Sequence, residues 1–254
     1  MPEGDTIHRT ALALDRALAG AELIRFAAPR LRYRPFPPGT IVDGAEALGK
    51  HCLIRFDDGR TLRTHMGMTG SWHLYRTGER WRRTPAGLRA VVAVPDWEAV
   101  CLAAPSVELA VEPALTHLGP DLCRDDADID EAVRRIGALA DAGRSVGEAL
   151  LDQHVASGIG NIWRNEACFA CGIDPATPVA LLDDDERRRL LLAAASRLRR
   201  SVAGDRPAMA VYGRAGKPCR RCGGTVEWSR QGMPPRGTYW CPACQPARPG
   251  MRAR

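Results

Sequence analysis

Apolar residues recur with different periods along this chain, and the changes of period mark out its parts. Near the start they fall at helical spacing, at Ile7, Ala11, Leu14 and Leu18. This spacing predicts a helix over Thr6–Ala19, capped by Asp5 or Thr6 and ended by Gly20. The first residues of the chain then lie at the positive end of a helix.

Short runs rich in strand-forming residues follow from Ala21 to about Leu118, separated by turn signals such as Asp57-Asp58-Gly59. The predicted strands are Glu22–Phe26, His51–Phe56, Thr61–Met66, Ser71–Tyr75, Arg89–Val94 and Ala99–Ala103. Strands at this spacing, joined by hairpin turns, predict an antiparallel sandwich or barrel.

A polar linker, Arg124–Asp130, separates the strand-rich part from a helical one. The predicted helices are Ile129–Ala140, Val146–Val155, Asn161–Ala170 and Asp183–Ala203. Because only residues 156–160 join the second helix to the third, we expect these two to form a helix–turn–helix hairpin. The chain from Val211 onward is rich in Gly, Pro and Cys and has no helical period.

The composition excludes several classes of protein. With 254 residues, of which 45% are hydrophobic, the chain can bury one large core or two modest ones, so a disordered or fibrous protein is excluded. The longest apolar run, Leu190–Ala195, is far shorter than the roughly 20 residues of a membrane-spanning helix. The start of the sequence lacks the basic and apolar regions of a secretory signal, so we expect a cytoplasmic protein with reduced cysteines.

Positive charge is concentrated in the last quarter of the chain. Residues 187–254 contain 16 Lys and Arg against two acidic residues, whereas the remaining 186 residues carry 20 basic and 28 acidic side chains. This asymmetry predicts a polyanionic partner for the C-terminal part, with a solubilising tail as the alternative. Among the 36 basic residues only Lys50 and Lys217 are lysines, which indicates positions that need a compact ammonium group.

Two CxxC pairs lie near the end of the chain, at Cys219, Cys222, Cys241 and Cys244. Pairs of this spacing, 18 residues apart, are typical of a four-thiolate zinc ribbon, so we expect one structural Zn²⁺. The arginines available for phosphate contacts in this ribbon are Arg220, Arg221, Arg230 and Arg236. Cys168 and Cys171 form a third pair with no second pair to match, which we interpret as helix packing, with a second metal site as the alternative.

Two further segments carry candidate chemistry. In Gly158-Ile159-Gly160-Asn161 the glycines permit a tight turn whose amides could bind an anion, while the alternative is a structural turn with Asn161 as helix cap. Removal of Met1 would leave Pro2 with a secondary amine, which can attack C1′ of a deoxyribose and form an iminium. Glu3 could then serve as general acid or base; an ordinary N-terminus is the alternative.

Assembled in this order, the segments resemble the formamidopyrimidine-DNA glycosylase / endonuclease VIII family along nearly the whole chain. The segments that carry the resemblance are residues 1–5, Leu48–Leu53, His65–Gly70, Leu150–Gln153, Gly158–Glu166, Val211–Arg214 and Arg236–Gln245. The resemblance implies an α+β multidomain fold: a β-sandwich domain with an N-terminal helix over 1–120, a helix–two-turn–helix domain over 121–210, and a four-cysteine zinc ribbon with a basic tail over 211–254. DNA would bind across the cleft between the domains.

The resemblance also implies an activity and its residues. Pro2 would be the Schiff-base nucleophile, Glu3 the general acid, and Lys50 the lysine that contacts a phosphate at the damaged nucleotide. Met68 would fill the vacated base stack, and Asn161 and Arg236 would pinch the backbone around the everted nucleotide. The implied reaction is excision of a damaged base followed by β,δ-elimination, by a monomer acting on damaged double-stranded DNA; single-stranded or bubble DNA stays an open alternative.

Three departures from the family pattern refine this expectation. Residues 204–210 are too few to form the lid of the branch that excises oxidised guanine, which favours the endonuclease VIII branch and oxidised pyrimidines. Residues 103–109 lack an Arg-x-Phe pair that would fill the void, so discrimination of the opposite base should be loose. Asp5 stands where the family pattern differs, and capping is its expected role. For the function of the whole protein, the alternatives to a glycosylase that excises oxidised pyrimidines are a DNA-binding protein without catalysis and a family member that releases 8-oxoguanine.

Overall fold

The computed structural model of the protein describes residues 2–249, without the side chain of Pro85. The predicted removal of Met1 and the basic residues 250–254 lie outside the described residues. The chain divides into two compact units, Met1–Thr116 and His117–Arg254. Within the described range, no helix combines the length and the apolar character needed to cross a membrane.

The first unit is a sandwich of two four-stranded antiparallel sheets, preceded by helix α1 (Gly4–Leu18). Its strands are β1 Arg25–Ala27, β2 Val42–Leu48, β3 His51–Phe56, β4 Thr61–His65, β5 Ser71–Arg76, β6 Leu88–Ala93, β7 Trp97–Leu102 and β8 Ser106–Ala110. One sheet has the order β1-β6-β7-β5 and the other the order β2-β3-β4-β8. The predicted sandwich is therefore confirmed, with β2 and β8 as additional strands.

The core of the first unit lies between the sheets and α1. Ile7, Leu14 and Leu18 of the helix are buried against side chains of both sheets, such as Ile54 and Val92. The predicted helical face is thus the face that packs, and each fully buried aliphatic side chain contributes about 1.5–3 kcal/mol. This packing fixes the start of the chain to the sandwich.

Helix α1 begins two residues earlier than its predicted start. Glu3 occupies the N-cap position in extended conformation and makes no side-chain capping bond. Asp5 lies inside the first turn, where it is buried. The prediction that Asp5 or Thr6 caps the helix is therefore wrong, because the cap position belongs to Glu3.

The second unit combines helices with a C-terminal hairpin. Its elements are α2 Ile129–Gly137, α3 Val146–Ala149, α4 Asn161–Cys171, α5 Asp184–Val202, β9 Glu227–Gln231 and β10 Arg236–Trp240. Leu150, Trp163 and Leu190 are among the fully buried side chains of its core. Capping boxes at Ser145 and Asp183 start α3 and α5.

The predicted helix Val146–Val155 is wrong over most of its length, because only Val146–Ala149 is helical. Leu150 and Val155 are nevertheless buried, so the apolar residues of this segment belong to the core without forming a helix. Cys168 is also part of this core, which agrees with helix packing, and burial raises the pKa of its thiol.

Candidate functional site

Two predicted catalytic residues open the first unit. Pro2 is half-buried and directly precedes Glu3, whose side chain is only 1% exposed. The carbonyl oxygen of Glu3 accepts hydrogen bonds from the backbone N–H groups of Thr6 (3.0 Å) and Ile7 (3.1 Å). This geometry holds Pro2 and a buried carboxyl group at the positive end of α1, where negative charge is stabilised.

Lys50 lies at the tip of the hairpin between β2 and β3. Leu48 and His51 face each other across this hairpin, and Gly49 takes the positive φ of 57° that the two-residue turn requires. His51 in turn faces His65 on β4, with the ring centroids 5.0 Å apart. Lys50, a half-buried residue, thus lies at one end of the β2-β3-β4-β8 sheet.

Two cationic side chains, Lys50 and Arg63, act on His65 at this end of the sheet. Burial, and then the charges of Lys50 and Arg63, lower the pKa of His65, which keeps its imidazole neutral at pH 7. Arg63 also contacts Nδ1 of His51 at 3.3 Å and is paired with Glu108 at 2.6 Å. A cluster of this composition suits an anionic ligand.

Met68 projects from the loop between β4 and β5. It is 65% exposed, which is unusual for a large apolar side chain. The loop is tight: a Cβ on Gly70 would lie 2.6 Å from the carbonyl oxygen of Met66, and Thr69 Oγ1 donates to the carbonyl of Ala103 at 3.1 Å. The fold therefore holds Met68 outward on a firmly attached loop.

The glycine turn of the second unit is clamped by Gln153. Its Oε1 accepts from the N–H of Gly158 (3.1 Å), and its Nε2 donates to the carbonyls of Leu151 (2.9 Å) and Ile159 (3.1 Å). Gly158 has a φ of 93°, a conformation that favours glycine. These three side-chain hydrogen bonds of Gln153 thus lie within residues 151–159.

Asn161 is the first residue of α4, and Gly160 is its N-cap. The alternative role of Asn161 as helix cap is therefore wrong. Asn161 Nδ2 instead donates to the carbonyl of Gly237 at 2.9 Å, next to Arg236 at the start of β10. The structure thus brings the two predicted DNA contacts, Asn161 and Arg236, together in one unit.

Arg164 is fully buried, and the sequence analysis did not identify it as a functional residue. Its guanidinium donates to Asn161 Oδ1 (2.9 Å), to the carbonyls of Gly147 (3.0 Å) and Gly237 (3.3 Å), to Gln231 Oε1 (3.1 Å) and to Thr238 Oγ1 (2.7 Å). It therefore joins α3, α4 and both strands of the hairpin, and it orients the side chain of Asn161.

The two residues after Arg164 also connect α4 to the C-terminal part. Asn165 Oδ1 accepts from the N–H of Tyr239 at 2.7 Å. The carboxylate of Glu166 accepts from three consecutive backbone N–H groups, those of Ala210 (2.8 Å), Val211 (3.0 Å) and Tyr212 (2.8 Å). A run of polar residues inside a helix that also contains Trp163 and Phe169 was the available signal for this buried network.

The four cysteines of the ribbon form one cluster, with all sulfur atoms within 4.8 Å of one another. The Sγ–Sγ distances are 3.9 Å for Cys219 with Cys244 and 3.5 Å for Cys222 with Cys241. Four thiolates bound at about 2.3 Å to a tetrahedral Zn²⁺ have sulfur atoms about 3.8 Å apart, so the cluster fits a metal ion of this kind.

Gln245 fixes this cluster to the helices. It is fully buried, its Oε1 accepts from the N–H of Cys241 at 3.0 Å, and its Nε2 donates to the carbonyl of Ile173 at 2.8 Å. Arg221 lies over the ring of Phe169, 4.3 Å from its centroid. The ribbon is therefore packed against α4 rather than suspended from the chain.

Comparison with known proteins agrees with this arrangement. Residues 1–103 match the formamidopyrimidine-DNA glycosylase N-terminal domain, and residues 118–211 match the formamidopyrimidine-DNA glycosylase H2TH domain. A Streptomyces coelicolor relative named probable endonuclease 8 2 is 39% identical, over 99% of this chain and 98% of its own. The Mycolicibacterium smegmatis DNA-(apurinic or apyrimidinic site) lyase Nei2 is 37% identical, over 97% of this chain and 100% of its own.

The fold is also shared with solved structures. A Lactococcus lactis formamidopyrimidine DNA glycosylase, bound non-covalently to DNA that contains an AP site, superposes with a TM-score of 0.82 at 20% identity. The match covers 97% of this chain and 100% of that one. Because two family domains match most of the sequence and full-length relatives exceed 30% identity, this chain belongs to the formamidopyrimidine-DNA glycosylase / endonuclease VIII family.

Proposed function

We propose that this protein is a bifunctional DNA glycosylase and AP lyase of base excision repair that removes oxidised pyrimidines. The observation that carries the proposal is the buried carboxyl group of Glu3 directly after Pro2 at the start of α1. The names of the relatives, endonuclease 8 and DNA-(apurinic or apyrimidinic site) lyase, support the same two activities.

The amine of Pro2 performs the first step once Met1 is removed. Its nitrogen lone pair forms a bond to C1′ while the glycosidic bond breaks, and the leaving base takes up a proton. Glu3 supplies the proton transfers at the sugar, because its carboxyl group is placed one residue from the nucleophile. The attached amine then loses its proton, its nitrogen lone pair forms the C=N bond as the C1′–O4′ bond breaks, and Glu3 protonates the released ring oxygen. The product is an iminium between Pro2 and C1′ of the opened sugar.

The iminium then acts as an electron sink for strand cleavage. Loss of a proton from C2′ drives the departure of the 3′ phosphate, and a second elimination releases the 5′ phosphate. Lys50 contacts a phosphate at the damaged nucleotide and supports these steps, since its ammonium group and Arg63 place positive charge at this end of the sheet. The result is a nicked strand that lacks one nucleoside.

DNA binding requires that the damaged nucleotide leave the base stack, because the reacting atom is unreachable inside a duplex. Met68 acts as the apolar wedge that fills the vacated space. Asn161 and Arg236 bind the backbone near the everted nucleotide. We assign damaged double-stranded DNA as the substrate and a monomer as the active form. Single-stranded or bubble DNA is a second substrate to be tested. The protein would act in the cytoplasm or bacterial nucleoid, where the DNA lies.

The metal of the ribbon is one structural Zn²⁺ held by Cys219, Cys222, Cys241 and Cys244. With four protein ligands the ion has no open position, so its contribution is to stabilise the hairpin that carries Arg236.

Preference for oxidised pyrimidines follows from the short segment between α5 and Val211. Residues 204–210 leave no room for a lid over oxidised guanine. A member that releases 8-oxoguanine would turn over an 8-oxoguanine:cytosine duplex efficiently. Turnover of thymine glycol or dihydrouracil together with failure on that duplex supports our assignment.

Borohydride trapping on an abasic-site duplex tests the mechanism. The wild-type protein should form a covalent adduct, and Pro2→Gly should abolish it; tight binding without any adduct would instead indicate a DNA-binding protein without catalysis. Glu3→Gln should impair base release more than cleavage of a pre-formed abasic site, with the exposed Glu112→Gln as control. Equal losses in both assays would assign the acid to another residue.

A further inference from the structure

The outer face of the β1-β6-β7-β5 sheet carries a second cluster of functional side chains. Ser71, His73 and Tyr75 of β5 share this face, because alternate residues of a strand point the same way. Val100 of β7 faces His73 and forms a small apolar cluster with Tyr75. This face lies on the opposite side of the sheet from the core beneath α1.

The segment between β5 and β6 is anchored across this face by Trp81. The indole N–H donates to the carboxylate of Glu98, which is paired with Arg25 at 2.6 Å. The ring stacks with Tyr75 at a centroid distance of 6.4 Å and an interplanar angle of 23°, and the Arg25 guanidinium lies 5.9 Å from its centroid. Trp81 therefore determines where the next two residues lie.

Those two residues, Arg82 and Arg83, line a cavity of about 210 Å³ together with His73, Leu74 and Tyr75. None of the five lining residues is acidic. Glu79 contacts Arg82 at the rim at 3.4 Å, while the side chain of Arg82 is still 84% exposed. Two guanidinium groups that line one cavity suit an oxyanion, and arginine matches the geometry of phosphate with paired hydrogen bonds.

The imidazole of His73 adds a hydrogen-bonding group without adding charge. Its Nε2 is hydrogen-bonded to Ser71 Oγ at 2.8 Å. Burial, and then the charge of Arg83, lower the pKa of His73, so the ring is neutral at pH 7. The positive charge of the cavity thus comes from the two arginines alone.

The cavity is close to the Met68 loop in the same unit. Thr69 Oγ1 donates to the carbonyl of Ala103 (3.1 Å), and the N–H of Ala103 donates to the carbonyl of Gly87 (2.7 Å), at the end of the segment that carries Arg82. Five residues of extended chain from Met68 to His73 span at most about 18 Å, which corresponds to about five base pairs of duplex at 3.4 Å each.

We propose that the cavity formed by His73, Arg82 and Arg83 binds a backbone phosphate of the DNA, within about five base pairs of the nucleotide at Met68. This inference rests on the proposed function, because it takes the DNA engaged at Met68 as the ligand. A phosphate is favoured over an acidic peptide because a duplex seated at Met68 already carries phosphates to this distance.

The test compares two double variants of the full-length protein with equal loss of charge. R82A/R83A removes the arginines of the cavity, and R16A/R80A removes two exposed arginines that do not line it. Binding is measured as a function of salt on a duplex with a tetrahydrofuran abasic analogue. R82A/R83A should weaken binding about fivefold to tenfold at 0.1 M salt and reduce the salt slope by about 0.9, the value for one phosphate. R16A/R80A should change the slope by less than half as much.

Duplex length identifies the contact. The difference between the two double variants should persist when the flanks are cut from about 12 to about six base pairs, because the phosphate lies within about five, and it should disappear as the flanks are shortened further. Equal binding by both variants on the long duplex, or a difference that is already lost at about six base pairs, would overturn the proposal. The proposal would also be overturned if R82A/R83A lost binding to a polyglutamate peptide while its binding to DNA was unchanged. Borohydride trapping by the wild-type protein is scored separately, since a failure there refutes the proposed function and not only this cavity.

Discussion

Replacement of Arg164 by methionine tests whether the buried polar network holds the DNA-binding elements together. Methionine keeps most of the side-chain length but removes every N–H donor. The described acceptors of Arg164 are Asn161 Oδ1, the carbonyls of Gly147 and Gly237, Gln231 Oε1 and Thr238 Oγ1. All are neutral oxygens in the second unit.

The size of the effect follows from which acceptors keep another partner. The carbonyl of Gly237 still accepts from Asn161 Nδ2, and Gln231 Oε1 still accepts from Thr238 Oγ1. Asn161 Oδ1 and the carbonyl of Gly147 lose the bonds described for them. A buried polar atom left without a partner costs about 1–3 kcal/mol, so Arg164→Met should reduce the free energy of unfolding by about 2–6 kcal/mol.

Urea unfolding followed by circular dichroism measures this change, with Arg189→Met as the control. Arg189 lies on α5 with its side chain 64% exposed and only a 3.8 Å contact to Glu186, so its replacement should cost less than about 1 kcal/mol. Affinity for an abasic-site duplex should fall with Arg164→Met even where the variant is fully folded, because Asn161 is no longer oriented. A loss of stability below about 1 kcal/mol for Arg164→Met would refute the network as a support of the site.

Four further predictions concern other parts of the molecule. Removal of the ribbon metal by a chelator should unfold the β9–β10 hairpin and abolish DNA binding, seen in near-UV circular dichroism and reversed by Zn²⁺; an unchanged spectrum would contradict a structural ion. Arg236→Ala should weaken binding equally on all sequences and lower the salt slope by about one, and an unchanged slope would contradict a phosphate contact. Gly70→Ala should cost about 1–3 kcal/mol of stability, because the new Cβ would meet the Met66 carbonyl at 2.6 Å, whereas Gly87→Ala, with its nearest atom at 3.4 Å, should cost less. Burial alone would raise the pKa of Asp152, but hydrogen bonds from Arg144 and His154 hold this pKa below its usual range. The contribution of Asp152 to the free energy of unfolding is therefore complete above about pH 5 and is lost as pH falls through the folded pKa. Asp152→Asn should weaken the loss of stability at acid pH measured by urea unfolding, and an unchanged loss would refute the linkage.

Both strands that the sequence analysis missed are edge strands, although the edge strand β5 was predicted. His51–Phe56 and Ala99–Ala103 are rich in apolar residues, and the structure places strands there in the middle of their sheets. The two missed strands, β2 and β8, are the edges of one sheet and contain Gly, Ala and acidic residues. An edge strand needs neither two apolar faces nor high strand propensity, because its neighbour supplies the hydrogen bonds.

The segment after Val146 shows how an apolar pattern can mislead. Leu150 and Val155 are buried as a helical face would be, yet the backbone between them leaves the helix. Gln153 stabilises this irregular backbone, because it accepts from the N–H of Gly158 and donates to the carbonyls of Leu151 and Ile159. Hydrophobic periodicity reports burial, and it cannot distinguish a helix from a loop that buries the same residues.

The candidate site combines features set by short sequence segments with contacts between residues far apart in sequence. The positions of Pro2 and Glu3 at a helix start, and of the cysteines in a ribbon, follow from spacing within short segments. The joining of Asn161 to Gly237 spans 76 residues of sequence, and no local pattern contains it. Within the segment from Asn161 to Glu166, Asn161 contacts the β9–β10 hairpin through Gly237. Arg164 binds side chains of both strands, and Asn165 binds the backbone of β10. Glu166 binds the backbone at Val211, in the segment before the hairpin. The motif therefore connects the glycine turn to the Arg236 hairpin, and this connection is why Arg164, Asn165 and Glu166 are buried although they are polar.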